Sequence, residues 1–134
     1  MTNASVAHLL RNIGQEPEDT TLYFLLGNEY VKLGLLPQAI AAYEEAISRK
    51  IDHLGTYLAL SEAQERLLLT SKARHTLQRG LSLAREKGYA LGEKFFDKRL
   101  EEFDERHTKL AQREGVRMDL VAPFALRARS DNPV

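Results

Sequence analysis

The chain has no cysteine, which excludes a disulfide framework, a thiolate zinc site and a cysteine nucleophile together. It has no apolar run approaching the roughly 20 residues that a membrane-spanning helix needs. The opening segment MTNASVAHLLRNIG lacks a basic start and a continuous apolar core, so it does not read as a secretory signal. With the missing cysteines, this is consistent with a cytoplasmic protein. No GxGxxG, GxxxxGK[ST] or GxSxG pattern occurs, and the 8 glycines are scattered at helix ends and turns, so no phosphate loop or nucleophile elbow is expected. The four histidines, His8, His53, His75 and His107, have no ligand-spaced partner, and neither a metal nor a cofactor is expected. The pairs Glu44–Glu45 and Glu101–Glu102 are adjacent. On a helix such neighbours do not face each other across a cleft, as general acid/base chemistry requires. The expectation is a protein that is not an enzyme.

What is present is the composition of an ordinary folded domain. The 134 residues are 43% hydrophobic and 28% charged, enough to bury a core without covalent staples. Net charge is zero, but it is unevenly spread. Residues 1–65 hold nine acids and four bases, giving −5, and residues 66–134 hold fifteen bases and ten acids, giving +5. The most basic stretch, Arg66–Arg99, has nine Lys/Arg against Glu86, Glu93 and Asp97. Either it forms solvated helix faces, or it marks an anionic partner or head-to-tail self-association. The cations Lys72, Arg74, Arg79, Arg85 and Lys87 are spread around the helix without interleaved aromatics, which argues against nucleic acid.

The main organising feature is internal repetition. A shift of 34 residues brings Tyr23 onto Tyr57, Leu26 onto Leu60, Leu33 onto Leu67, and Ala39 onto Ala73. Small Gly27 falls on Ser61 and small Ala46 on Gly80, while bulky Tyr43 falls on Leu77. A fixed period with alternating bulky and small sites is the mark of a repeat architecture. Each unit reads as two helices. Leu22, Leu25/Leu26, Tyr30 and Leu33 form one stripe at helical spacing, and Ala39, Ile40, Tyr43, Ala46 and Ile47 form the next. Gly34 supplies a stop between them, and Pro37 suits the first turn of the second helix. In the second unit, Leu54, Tyr57/Leu58, Leu60 and Leu67 are followed by Ala73, Leu77, Gly80/Leu81 and Ala84. Thr70 or Ser71 is the expected N-cap there, and the helix ends before Gly88. No stretch alternates with period two, so the predicted class is all-α.

These residues resemble the tetratricopeptide repeat, whose pattern is W-x2-L-G-x2-Y, then A-x3-F, then a proline. The first unit has Tyr23-x2-Leu26-Gly27-x2-Tyr30, then Ala39-x3-Tyr43 and Ala46. The second has Tyr57-x2-Leu60-Ser61-x2-Gln64, then Ala73-x3-Leu77 and Gly80. Ile51 and Arg85 replace the closing proline. The resemblance covers about half the chain and implies a right-handed α-α superhelix of two hairpins, 20–53 and 54–87. The small residues at 27, 39, 46, 61, 73 and 80 would let helix backbones approach, while Tyr23, Tyr43, Tyr57 and Leu77 fill the adjoining volume.

The ends of such a stack need covering. Val6, Leu9/Leu10 and Ile13 predict an N-terminal capping helix over 1–14. Leu91, Phe95/Phe96, Leu100, Phe103 and Leu110 predict a C-terminal capping helix over 90–113, with Gly115 as its stop. Residues 114–134 contain LVAPFAL followed by a polar, proline-containing end. This reads as a tail, loosely ordered or packed over the closing helix, or else as a docking segment for another chain or for the protein's own groove.

The resemblance also implies a function, that of a protein–protein scaffold or adaptor with a peptide or protein segment in its groove. Ligand contacts would fall on the second, fifth, ninth, twelfth and thirteenth residues of each unit. These are Thr21, Phe24, Asn28, Val31 and Lys32, then Gly55, Leu58, Glu62, Glu65 and Arg66. Phe24 and Leu58 would be apolar anchors, or else would pack internally. Of the carboxylate clamp with which the best-known relatives hold a chaperone's C-terminus, only Asn28 matches, so the resemblance does not imply a chaperone-tail receptor. The alternatives left open are a self-associating structural unit and, less favoured by the residues, a polyanion or nucleic-acid binder.

Overall fold

The computed structural model describes residues 4–50 and 52–118, with side chains to residue 109. The expected tail falls outside the described residues from 119 onward. Six helices follow in order: α1 (Ala4–Gln15), α2 (Thr20–Lys32), α3 (Leu36–Arg49), α4 (Leu54–Arg66), α5 (Thr70–Lys87) and α6 (Ala90–Met118). Among the described residues there is no strand, and the class is all-α. None of these helices is long and apolar enough to cross a membrane. Contacts divide the chain into Met1–Leu100, which contains both hairpins, and Glu101–Val134.

In the first unit, α2 packs on α3, α4 on α5, and α3 of the first hairpin on α4 of the second. The small residues sit at these crossings. Ala39, Ala46 and Ala73 have no exposed surface, and Gly27, Ser61 and Gly80 are buried beside them. Bulky Tyr43, Tyr57 and Leu77 fill the space that results, which is how close-packed interiors absorb unequal side chains. Tyr23 departs from this scheme. It is half-buried, its hydroxyl donates to the Pro17 carbonyl, and the Arg49 guanidinium lies 4.8 Å over its ring. Repeat two keeps the arginine–tyrosine contact from a different position, with Arg79 5.3 Å over Tyr57.

One polar pair lies within the second hairpin. The buried Thr76 hydroxyl is 2.7 Å from Gln64 Oε1, so α4 and α5 are joined by a hydrogen bond that excludes water. Helix α1 covers the other end, where Leu9 closes over Leu26 and Ala42 with Val6, Ile13, Leu22 and Tyr30 packed around them. It runs through Gly14 to Gln15 rather than stopping at the glycine.

The two turns inside the hairpins have the same hydrogen bonds. Leu35 N–H donates to the Tyr30 carbonyl and Gly34 N–H to Val31. Thirty-four residues on, Leu69 N–H donates to Gln64 and Leu68 N–H to Glu65. This double bond ends a helix by placing one residue in the left-handed region. Gly34 fills that place in the first turn at φ +75°, but in the second it is Leu68 at φ +63°. A left-handed leucine costs about 1–2 kcal/mol in backbone sterics, and 82% of the Leu68 residue is exposed, so little packing offsets the strain. Leu68→Gly is therefore expected to raise the unfolding free energy by about 1 kcal/mol, measurable by urea denaturation. A decrease would show that the leucine makes a stabilising contact in the folded chain.

The same turn corrects the expected cap. Leu69, not Thr70 or Ser71, occupies the N-cap of α5, without a side-chain cap bond, and Leu35 does the same for α3. The turn bond from Leu69 N–H brings the chain straight into the helix, leaving Thr70 as its first residue.

Helix α6 starts after Gly88, itself left-handed at φ +72°, and passes the expected stop at Gly115 to reach Met118. Its first part packs on the second hairpin: Phe96 is buried against Gly80, and Gly92 lies against Leu54 and Ala84. Leu91 and Phe95, expected on the covered stripe, are exposed. In the second unit Phe103 is buried, with the His107 ring 4.2 Å and the Arg106 guanidinium 5.8 Å from it.

Candidate binding groove

The first helices of the hairpins, α2 and α4, share an open cleft of about 280 Å³ lined by Asn28, Val31, Lys32, Glu62 and Arg66, with Tyr43, Ala59 and Ala63 at its base. Five of the ten residues expected to bind a partner thus come together. Thr21, Phe24, Gly55, Leu58 and Glu65 do not line the cleft. Phe24 is half-buried with its ring 5.9 Å from Tyr43 and 4.9 Å from His53. Leu58 is half-buried, and its carbonyl accepts the Ser61 hydroxyl.

Tyr43 orders the polar centre. Its side chain passes beside Gly27, where an added Cβ would lie 2.5 Å from the ring, and its hydroxyl donates to Asn28 Oδ1 at 2.6 Å. With the amide oxygen engaged, the Asn28 NH2 group is the donor left for a ligand. Burial, and secondly the nearby Glu62 charge, push the Tyr43 phenol up to about 12, so it remains a donor across the physiological range. The small residue just before Asn28 on α2 and a tyrosine on α3 thereby set which end of that asparagine faces the cleft.

The charges are arranged unequally. Lys32 Nζ is 3.3 Å from Glu29, and Arg99 of α6 reaches Glu62 at 2.7 Å while its guanidinium lies 5.5 Å over the Phe95 ring. Arg66 has no ion pair among the described residues. Of the remaining basic stretch, Arg85 bonds Glu93 and Asp97 and Arg79 lies over Tyr57. These arginines are committed to their neighbours, as solvated helix faces commonly are.

Two further helices meet groove residues without a signal in the repeat register. Helix α1 contributes Ser5, His8 and Leu9 to a second cleft of about 460 Å³, which it shares with Leu25, Asn28, Glu29 and Lys32. This helix is therefore both a cap and a lining. Helix α6 reaches the cleft residue Glu62 through Arg99, whose guanidinium lies over Phe95, without lining the cleft itself. Leu25 and Phe95 each belong to an adjacent apolar pair in sequence, Leu25/Leu26 and Phe95/Phe96. In both pairs the second member is buried and the first is exposed. Neighbours 100° apart on a helix cannot both face the core, and that doubling was the available signal. No cluster of His, Asp and Glu among the described residues could hold a metal ion.

Tandem helical hairpins related by 34 residues, stacked with small residues at the crossings, define a helical-repeat protein. Its fold is the tetratricopeptide-repeat fold, here with two hairpins flanked by further helices. A tetratricopeptide repeat domain protein from Salinibacter ruber, solved in solution, is similar at 29% identity and a TM-score of 0.62, over 66% of this chain and 90% of that one. The crystal structure of a Salinibacter ruber tetratricopeptide repeat domain protein agrees at 28% identity and a TM-score of 0.57, over 64% and 97%. The TPR2B domain of yeast Sti1, in a complex with pHsp70, is similar in fold at 22% identity and a TM-score of 0.68, over 75% and 81%. No family model and no curated protein matches the chain in sequence.

Proposed function

We propose that this chain is a non-catalytic protein-interaction module that holds a segment of a partner protein along the face of α2 and α4. The observation that carries this reading is the oriented Asn28 amide, flanked by Lys32 and Arg66 in a cleft with an apolar floor. An amide donor suits a peptide carbonyl or carboxylate, the two cations suit an acidic side chain, and Val31 and Ala59 leave room for an apolar one. The Sti1 domain, solved as a complex with pHsp70, is in keeping with partner binding by this fold. The groove differs from a carboxylate clamp in having Phe24 and Ala59 at clamp positions, so a ligand defined by a free C-terminus is not implied.

The test begins with affinity capture by the intact chain and mass-spectrometric identification of what is retained. The affinity of the purified partner is then measured for the wild type, Asn28→Ala and Arg66→Glu. Arg66 is exposed, so its reversal is expected to weaken binding at least about tenfold, some 1.4 kcal/mol, while the melting curve stays in place. Undiminished affinity in both variants would remove the groove from the binding reaction.

A further inference from the structure

Ten large apolar side chains stand exposed among the described residues, and five of them occupy the two turns inside the hairpins: Leu33, Leu35, Leu67, Leu68 and Leu69. The turns lie side by side, because the ends of α2 and α4 share the cleft that holds Lys32 and Arg66. The result is a leucine rim along the edge of the stack, next to the groove but outside its lining.

Local preference opposes this arrangement at three of the five positions. Leu68 holds a left-handed conformation that the first repeat gives to Gly34. Leu35 and Leu69 stand at helix N-caps without a side-chain cap bond, where serine, threonine, aspartate or asparagine is favoured. Leu35 and Leu69 are 40% and 36% exposed, but Leu68 is 82% exposed, and a residue that breaks a local rule with so little packing points to selection for something else. The rim is bordered by Lys32, Arg66 and Lys72, all exposed. The nearby acids are less available: the Glu29 side chain is 18% exposed, against 73% for the Lys32 that it pairs with, and Glu65 is half-buried with an interaction of its own.

We propose that this rim is a second docking edge, adjoining the groove and sharing Lys32 and Arg66 with it, for an acidic amphipathic segment of a partner protein. Leucine-sized side chains of that segment would lie on the rim leucines, and its carboxylates would meet the bordering cations. Apolar contact supplies most of the affinity in such a mode, and charge supplies the register.

The experiment uses the full chain and a fluorescent synthetic helix with leucine on one face and glutamate on the other, followed by anisotropy. A copy with lysine for glutamate, and vesicles of anionic phospholipid, serve as comparisons. The glutamate peptide is expected to bind, the lysine peptide to bind at least tenfold more weakly, and the vesicles not to bind. Leu68→Gly and Lys72→Glu should each weaken binding at least fivefold, whereas Asn28→Ala should leave it unchanged. Leu68→Gly relieves strain, so lost binding in that variant cannot be ascribed to unfolding. The proposal is overturned if the glutamate peptide fails to bind or binds Leu68→Gly equally well. Preference for vesicles, or a concentration-dependent dimer that Leu68→Gly abolishes, would also overturn it, by assigning the rim to a membrane surface or to a second copy.

Discussion

Gly80→Leu is expected to destabilise the second hairpin by about 3 kcal/mol or more, lowering the melting temperature by roughly 10 °C. An ideal Cβ on Gly80 would lie 2.5, 2.7 and 3.0 Å from three carbons of the Phe96 ring. Phe96 is only 2% exposed, so the ring cannot swing into solvent, and α6 must separate from α5. Removing a helical glycine should gain about 1 kcal/mol in propensity. That is smaller than the overpacking cost when the added atoms meet a buried ring. Gly80→Ala should therefore destabilise modestly and Gly80→Leu severely. Shrinking the ring in a Gly80→Ala, Phe96→Leu double variant should recover part of the loss, which a double-mutant cycle measures. A Gly80→Leu chain with wild-type melting would mean that α5 and α6 do not pack through this contact.

Alkaline pH should weaken the fold through Tyr43. In the unfolded chain its phenol titrates near the ordinary tyrosine value of 10.0, whereas in the folded chain it is held up to about 12. Between those values the folded state retains a proton that the unfolded state has lost, so stability falls as pH rises. Two units correspond to about 2–3 kcal/mol, present in full below pH 10 and lost progressively towards pH 12. Tyr57 is raised too, by burial first, with Arg79 opposing, so the second hairpin adds in the same direction. Tyr43→Phe should flatten much of this dependence, at a cost near neutrality of about 1 kcal/mol for the lost Asn28 bond. Denaturation curves at pH 8 and at pH 11 for both proteins make the comparison. An identical alkaline loss in Tyr43→Phe would assign the effect to other groups.

The groove was partly legible in the sequence, for a reason that particular residues show. Asn28, Val31, Lys32, Glu62 and Arg66 could be placed because a helical repeat converts sequence position into face. One register error would have misplaced all five together. Phe24 followed the same register, yet it turns towards Tyr43 and His53. Its neighbour Leu25 lines the α1-side cleft instead. A large ring settles where it finds partners, and those partners come from α3 and the following turn, far along the chain.

The absences with which the sequence begins exclude disulfides and thiolate chemistry outright, because composition alone decides them. The 34-residue period and the small residues at 27, 39, 46, 61, 73 and 80 likewise determined two hairpins, since helix periodicity and close approach are written in residue size and spacing. Other features depended on tertiary structure. Leu68 reads as an ordinary helical leucine until the turn bonds from Leu68 and Leu69 place it in the left-handed region. Arg99, 37 residues from Glu62, reaches that groove residue only because Gly80 lets Phe96 bring α6 close. The contacts that define a binding surface join residues far apart in sequence, and local pattern carries no record of which distant side chain arrives.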